Sequence, residues 1–130
     1  MVFKTVTPEM IEAFAEISGD RNRLHFDDVF AKKTLNGKCN GRIAHGALIF
    51  ALLSGYIAHE FGDGTTVRKA ECCFKLPFEP GDGAGFSHTI VASRTVGSAV
   101  LADVEVSVVR QRGGVEEVVG KTALVLLQPL

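Results

Sequence analysis

Cysteine is scarce in this chain of 130 residues, and charge of either sign is not in excess. The three cysteines, Cys39, Cys72 and Cys73, form no Cys-x-x-Cys pair and no cysteine–histidine spacing typical of a metal site. The sequence therefore predicts neither a disulfide framework nor a zinc site. Lysine and arginine number 14 and aspartate and glutamate 15, for a formal net charge of -1. Because a general nucleic-acid binder needs a basic excess or patch, we expect no nucleic-acid partner.

Long apolar runs are also missing. The longest nearly uncharged stretch, residues 44–59, is shorter than the about 18 to 20 apolar residues of a membrane span, so we expect no membrane association. Residues 1–6 lead into Thr7-Pro8-Glu9 without the apolar core of a secretory signal, and we expect the protein to be cytoplasmic. Core material is ample, since 46% of the residues are hydrophobic. This length and composition predict one domain over residues 1–130.

Three helices are predicted in the first half of the chain. Thr7 and Pro8 provide an N-cap and a first helical residue, and Gly19 is a stop signal. Between them the apolar residues recur at helical spacing, at Met10, Phe14 and Ile17. A second, short helix is predicted to begin near Asp27-Asp28. The third covers residues 46–61 and has no polar face, which predicts a helix that is buried on most sides.

The second half is predicted to contain strands joined by turns. Apolar and polar residues alternate with a period of two over residues 69–76 and 100–108, and further strands are predicted over about residues 86–95 and from Gly113-Gly114 to about Leu127. One buried helix followed by long antiparallel strands predicts an α+β fold in which the sheet wraps around the helix.

The last predicted strand is apolar on both faces. Leu124 and Leu126 lie on one face, and Ala123, Val125 and Leu127 on the other. Only one face can pack on the core of its own chain, and a second copy of the chain is the simplest cover for the other. We therefore expect a homodimer.

An irregular stretch between the first two helices contains Asp20, Asn22 and His25. A carboxylate and an imidazole five residues apart can meet at one water in a turn, and such a pair suits general acid–base chemistry. Spacing alone favours a structural interpretation, in which Asp20 caps the next helix, Asn22 forms an Asx turn and His25 is a satisfied surface histidine.

His45 and Gly46 precede the apolar helix. The free N–H groups and the positive dipole at that helix end can bind a carbonyl oxygen that gains negative charge, and Gly46 permits a close approach. Alternatively, Gly46 only lets the chain turn into the helix, and His45 caps or packs.

These residues belong to an ordered pattern. Its members are Ser18, Gly19, Asp20, Asn22, Leu24, His25, Asp27, Ala31, Ile43, His45, Gly46, Leu53, Ser54, Gly55, Phe74, Lys75, Leu76, Pro77, Gly81 and Asp82. The pattern resembles the hydratase 2 motif of the MaoC-like family, the (R)-specific enoyl-CoA hydratases with the hot-dog fold. The resemblance spans nearly the whole chain and implies an antiparallel sheet around one long central helix, in agreement with the α+β prediction.

The resemblance implies reversible addition of water to trans-2-enoyl-CoA, giving (R)-3-hydroxyacyl-CoA. By the same likeness, Asp20 and His25 would activate one water and deliver a proton to the α-carbon on the same side. Asn22 would order the loop or the water, the Gly46 N–H would bind the thioester oxygen, and Ser54 would line the site near His25. No metal or redox cofactor is implied, and the partner is an acyl thioester of coenzyme A or of acyl carrier protein.

The chain departs from the family pattern at Arg23 and Asp28, where proline is common, and residues 34–40 form a slightly longer loop. Neither change removes a proton-transferring group. Two other functions stay open, a hot-dog acyl-CoA thioesterase and a non-catalytic acyl-CoA-binding protein. The pair Asp20 and His25 favours the hydratase, because a binder needs neither an acid nor a base. His88, in a predicted strand, is interpreted as structural.

Overall fold

The computed structural model of the protein describes residues Met1 to Leu130. The helices are α1 (Pro8–Ser18), α2 (Asp28–Thr34) and α3 (Gly46–Phe61), with a 3-10 turn over Arg23–His25. The strands are β1 (Lys4–Thr5), β2 (Thr66–Phe74), β3 (Gly83–Val96), β4 (Ala99–Arg112) and β5 (Val115–Pro129). They form one sheet in the order β1-β3-β4-β5-β2, with every neighbouring pair antiparallel. The predicted α+β class is confirmed.

The core lies between α3 and one face of the sheet. It joins Leu53 and Ile57 of α3 with Val104 and Val106 of β4 and Leu126 of β5, all of them buried. Burial of an aliphatic side chain of this kind contributes about 1.5–3 kcal/mol, so this layer fixes the position of α3 on the sheet.

The bounds of α1 follow its capping signals. The Thr7 hydroxyl accepts a hydrogen bond of 3.1 Å from the N–H of Met10, and Pro8 is the first helical residue. Gly19 ends the helix at a φ of 76°, a left-handed conformation that glycine adopts without strain. The predicted start and end of this helix are confirmed.

The buried face of α1 differs from the prediction. Ile11 and Ala15 are fully buried, whereas Ile17 is 84% exposed. Met10 and Phe14 are only partly buried at the edge of the core. The helix is rotated so that the pair at i and i+4 faces inward, because a small side chain at Ala15 lets the helix approach its neighbours closely.

The strands confirm the predicted alternation in β4, where Ala102, Val104, Val106 and Val108 are buried. The edge strand β2 is different, because its residues are exposed up to the half-buried Phe74 at its end. It also ends two residues earlier than predicted. The ladder with β5 breaks there because the N–H groups of Lys75 and Leu76 both point at one carbonyl, that of Val119.

The prediction that α3 is buried on most sides is wrong for a single chain. One face packs on the sheet, and the opposite face is exposed and carries small residues: Ala47, Ala51, Ser54, Gly55 and Ala58. Hydrophobicity predicts that a residue prefers burial, but it does not say whether the cover comes from the same chain.

The cysteines are free, as predicted: Cys39 is buried, and Cys72 and Cys73 are exposed on β2. Burial raises the pKa of the Cys39 thiol. None of the helices has the length and apolar character needed to cross a membrane.

Candidate active site

Short-range hydrogen bonds shape the loop between α1 and α2. The Asp20 carboxylate accepts a hydrogen bond of 3.1 Å from the N–H of Asn22, and the Asn22 side chain accepts one of 3.0 Å from the N–H of Leu24. Asn22 is thereby the N-cap of the 3-10 turn that ends at His25. These two bonds turn the chain back on itself and place the side chains of Asp20 and His25 on the same side.

Arg21 attaches this loop to α1. Its guanidinium donates to the carboxylates of Glu12 and Glu16 at 3.0 and 2.7 Å. The hydrogen bond to Glu12 is the main cause that raises the pKa of Arg21. Exposed ion pairs add little stability, so the contribution of Arg21 is to the position of the loop. Our sequence reasoning missed this residue, although two glutamates one turn apart on α1 were a usable signal.

Asp20 and His25 converge. The Asp20 Oδ2 and His25 Nε2 atoms are 3.7 Å apart, which is too long for a direct hydrogen bond. The Asp20 side chain is 48% exposed, whereas His25 as a residue is only 7% exposed. The pair therefore has one buried, fixed member and one member open to the surroundings.

The proton on His25 can be assigned from its partners. Its Nδ1 lies 2.9 Å from the carbonyl oxygen of Ile43. A carbonyl oxygen only accepts, so in the neutral ring Nδ1 carries the hydrogen and Nε2 keeps its lone pair. Two acceptors, Nε2 and Asp20 Oδ2, thus face each other across a gap. A water molecule satisfies both, because it can donate one hydrogen to each.

His45 lies beneath this pair. It is 2% exposed, and its ring is stacked on that of His25 with centroids 3.7 Å apart and an angle of 26° between the planes. Its Nε2 donates a hydrogen bond of 3.0 Å to the backbone carbonyl of Asp20. Our sequence reasoning left His45 as a capping or packing residue, yet it contacts both members of the pair.

Asp20, His25 and His45 are also the chain's one group of possible metal ligands. One ligand atom from each lies within 4.8 Å of the others. Imidazole lone pairs lie in the ring plane, and the two rings are nearly parallel, so their lone pairs run side by side and do not meet at one point. An ion at the usual Zn–N distance of about 2.0–2.1 Å would require the rings to tilt apart. The arrangement fits a hydrogen-bonded site better than a metal site.

The N-terminus of α3 adjoins this cluster. His45 occupies the N-cap position, but its side chain makes no capping hydrogen bond. The Leu48 N–H bonds to the His45 carbonyl at 3.0 Å, whereas the N–H groups of Gly46 and Ala47 have no backbone acceptor and form the positive end of the helix dipole. Gly46 is exposed, so its N–H is open to an acceptor from outside the chain.

Ser54 is not brought to the pair. It lies on the exposed face of α3, eight residues after Gly46, which corresponds to about 12 Å along the helix axis. No hydrogen bond joins its hydroxyl to Asp20 or His25. In a single chain Ser54 is a surface residue beyond the first two turns of α3.

Beside Gly46 lies a cavity of about 320 Å³. Its walls are mostly apolar, with Ile49, Phe74 and Leu76 among them. Lys38 and Lys75 are the only charged residues in its lining, and neither forms an ion pair. The cavity therefore combines an apolar floor with unneutralised positive charge.

A second polar cluster lies near the C-terminal end of α3. The Tyr56 hydroxyl and His88 Nδ1 are hydrogen-bonded at 2.6 Å, and the Phe61 ring lies 4.8 Å from that of His88. Desolvation raises the pKa of Tyr56, and the charge of Glu60 adds to the effect. Tyr56 and His88 line a cavity of about 770 Å³ on this side of the helix.

Two proteins of known name are similar in sequence to part of this chain. The 3-hydroxybutyryl-CoA dehydratase of Methylorubrum extorquens is 34% identical over 80 residues, which cover 61% of this chain and 49% of that protein. The (R)-specific enoyl-CoA hydratase of Aeromonas caviae is 34% identical over 85 residues, which cover 65% of this chain and 61% of that protein. The chain thus spans less than two thirds of the length of either relative.

The fold comparison covers almost the whole chain. The solved structure of the (R)-hydratase from A. caviae involved in PHA biosynthesis superposes with a TM-score of 0.76 at 26% identity, over 98% of this chain and 92% of that one. This confirms the hot-dog fold that the sequence resemblance implied. The sequence model of the family described as MaoC like domain matches residues 2–112. Because that match covers most of the chain, the protein belongs to the family of MaoC-like domains.

Proposed function

We propose that the protein is an (R)-specific enoyl-CoA hydratase, which adds water reversibly to trans-2-enoyl-CoA to give (R)-3-hydroxyacyl-CoA. The observation that carries the proposal is the gap of 3.7 Å between two hydrogen-bond acceptors, Asp20 Oδ2 and His25 Nε2, next to the open N-terminus of α3. The relatives named as a hydratase and a dehydratase support the reaction class and, in one case, the (R) product.

Water activation follows from the proton positions. A water between the pair donates one hydrogen to each residue, which leaves an oxygen lone pair free to attack the β-carbon of the substrate. As the new C–O bond forms, the pair accepts a proton from the water. His25 Nε2 is the ring nitrogen that can take it, since Nδ1 is bonded to Ile43. The pair returns a proton to the α-carbon on the same face, so that hydrogen and hydroxyl are both added.

Gly46 supplies the electrostatic part of the mechanism. When oxygen attacks the β-carbon, the π electrons of the double bond move toward the thioester carbonyl, whose oxygen becomes enolate-like. The Gly46 N–H, backed by the dipole of α3, donates to that oxygen as in an oxyanion hole. The thioester bond is not broken, and the reaction needs no metal or redox group because the thioester itself polarises the alkene.

The cavity beside Gly46 supports a phosphate-bearing thioester as substrate. A carbonyl at the Gly46 N–H directs the rest of the thioester into this apolar groove, where a pantetheine arm fits. Lys38 and Lys75 then provide positive charge for the phosphates of coenzyme A, or for the single phosphate of an acyl carrier protein.

We propose further that the protein acts as a homodimer. The exposed face of small residues on α3 and the exposed edge strand β2 both lack a cover within the chain. An uncovered edge strand is a ready site for strand pairing with another copy. Light scattering should then give about twice the 13.9 kDa of one chain, and a monomeric mass would contradict this proposal.

The test of the activity uses the purified protein and trans-2-butenoyl-CoA. We expect the absorbance of the conjugated enoyl thioester to fall without release of free thiol, and chiral analysis of the product to give the (R)-3-hydroxy isomer. Thiol release would instead identify a thioesterase. Tight binding with no turnover, unchanged in Asp20→Asn, would identify a non-catalytic acyl-CoA-binding protein.

A further inference from the structure

The buried His45 contacts both members of the pair, although the proposed mechanism assigns it no role. One face of its ring is stacked on His25 at 3.7 Å, and on another side Phe14 lies 5.0 Å away, tilted by 56°. Its Nε2 bonds to the backbone of Asp20, twenty-five residues earlier in the chain. A histidine that only fills space would need neither contact.

The single hydrogen bond of the His45 side chain fixes the tautomer of its neutral ring. The Asp20 carbonyl oxygen is an acceptor, so Nε2 carries the hydrogen and Nδ1 of the neutral ring has a lone pair. Nδ1 is the only buried side-chain nitrogen or oxygen in the protein without a hydrogen-bond partner. Protonation there would bury an unpaired cation against His25, which is costly. His45 is therefore a neutral aromatic ring under the reacting imidazole.

Asp20 is the charged group that faces His25 from the loop, with its Oδ2 3.7 Å from Nε2. On the neighbouring elements, Glu12 and Glu16 of α1 are paired with Arg21, and Asp27 is paired with Arg23. Asp20 and the Ile43 carbonyl lie at the edge of the His25 ring, whereas His45 meets the ring face to face.

We infer that His45 is a positioning residue that acts through both members of the pair. Its Nε2–H fixes the backbone of Asp20, and its neutral ring stabilises the imidazolium that His25 becomes when it takes the proton of water. A cation against an aromatic face is attracted by the electron density of the ring, more strongly when both are desolvated. This inference rests on the proposed function, since it concerns the protonated state of His25 during hydration.

Three substitutions separate the two contacts. His45→Gln keeps an N–H donor for the Asp20 carbonyl and loses the ring, His45→Phe keeps the ring and loses the donor, and His45→Leu loses both. In His45→Gln and His45→Leu, which both lack the ring, kcat for hydration should fall roughly fivefold to thirtyfold with little change in KM. The acid limb of the pH–rate profile should also move to lower pH by roughly half to one pH unit, because His25 then holds its proton less strongly. In His45→Phe that limb should stay in place, while kcat falls through the misplaced Asp20.

Phe14→Leu is the matched control, because the Phe14 ring packs on that of His45 and forms no ring pair with His25. It should lower stability and leave the pH profile unchanged. An NMR titration of the His25 ring in the native protein and the variants gives a readout that does not depend on turnover, so a failure of the proposed activity is recognised separately. The inference is overturned if the His25 midpoint is the same in all folded variants, or if it moves as far in His45→Phe as in His45→Leu.

Discussion

Two histidine clusters lie near opposite ends of α3, and they differ in what their hydrogen bonds leave open. Near the N-terminus, His25 and Asp20 face each other as two acceptors 3.7 Å apart. Near the C-terminus, His88 and Tyr56 are bonded directly at 2.6 Å. Both clusters combine an imidazole with an acidic oxygen group. Tyr56 and His88 line a cavity themselves, whereas the cavity near the first cluster is lined by Gly46 and not by Asp20 or His25. In the first cluster the two facing atoms are both acceptors, so a third molecule is needed to join them.

The difference shows that a cavity and a histidine do not by themselves make a reactive site. The larger cavity, about 770 Å³, lies at the satisfied cluster, whereas the smaller one adjoins Gly46. At the first cluster the backbone has used one nitrogen of each ring, Nδ1 of His25 and Nε2 of His45. What distinguishes the cluster that we propose to be reactive is the unsatisfied acceptors that remain, together with the free N–H groups of α3.

The largest effect should come from removing either member of the first pair. Asp20→Asn and His25→Ala should each lower kcat by at least about a hundredfold, because the water loses the group that orients or deprotonates it. Initial rates with trans-2-butenoyl-CoA measure the loss, and circular dichroism checks that the variants are folded.

His88→Ala is the matched control in the second cluster. The imidazole of His88 is bonded to the Tyr56 hydroxyl and takes no part in the proposed reaction. Its removal should therefore change kcat by less than about threefold. If His88→Ala abolished hydration while His25→Ala did not, the assignment of the two clusters would be reversed.

The role of the Gly46 N–H as a hydrogen-bond donor can be tested by a proline substitution at that residue. Gly46→Pro removes the N–H at the first helical position, where proline is well tolerated, and should lower kcat by about tenfold to a hundredfold. Gly46→Ala keeps the N–H, and the added Cβ would make an ordinary contact of 3.5 Å with Phe74. Its kcat should be close to that of the unchanged protein. Equal losses in both variants would mean that crowding, and not the N–H, matters at this position.

The cavity beside Gly46 has Lys38 and Lys75 as its only charged residues, whereas the cavity at the second cluster contains both Lys4 and Glu60. Removing either lysine beside Gly46 should weaken substrate binding, an effect smaller than the losses of kcat above. Lys38→Gln and Lys75→Gln should each raise KM for the enoyl-CoA about threefold to tenfold at unchanged kcat, and should leave KM for the enoyl-pantetheine, which has no phosphate, unaltered. Lys4→Gln, in the cavity at the second cluster, is the control and should change neither. A variant that raises KM for both substrates alike would argue against phosphate binding.

The parts of the site that the sequence predicted are those encoded locally. Asp20, Asn22 and His25 lie in one turn that is held by hydrogen bonds between residues two or three apart, so their convergence depends on local structure. The start of α3 at Gly46 likewise follows from the apolar run after it. Helix and strand positions in the core could be predicted for the same reason, since periodicity is a local property.

The parts that could not be predicted depend on packing between distant segments. The stacking of His45 on His25 joins residues twenty apart, and the Tyr56–His88 bond joins residues thirty-two apart. Their contacts exist only once α3 is seated on the sheet. The exposure of Ser54 in a single chain could not be predicted for a related reason: the rotation of a helix with apolar residues all round is set by what it packs against, and not by its own pattern.

The smallest effect concerns the ionisation of Tyr56. It tests whether the phenol of the second cluster is shielded from solvent. Tyr56 is the only tyrosine and the chain has no tryptophan, so the ultraviolet absorbance of the phenolate follows this one group. Because desolvation and Glu60 raise its pKa, the native titration midpoint should lie above that of the same protein in urea, and Glu60→Gln should lower the native midpoint part of the way.

The stability that Tyr56 contributes is complete below the unfolded pKa of about 10 and is lost as the pH rises through the folded pKa. Tyr56→Phe should therefore flatten the alkaline decline in the free energy of unfolding, measured by urea denaturation at increasing pH. A native midpoint at or below the unfolded one would mean that the phenol is open to solvent, and the contrast between the two clusters would then rest on the hydrogen bond to His88 alone.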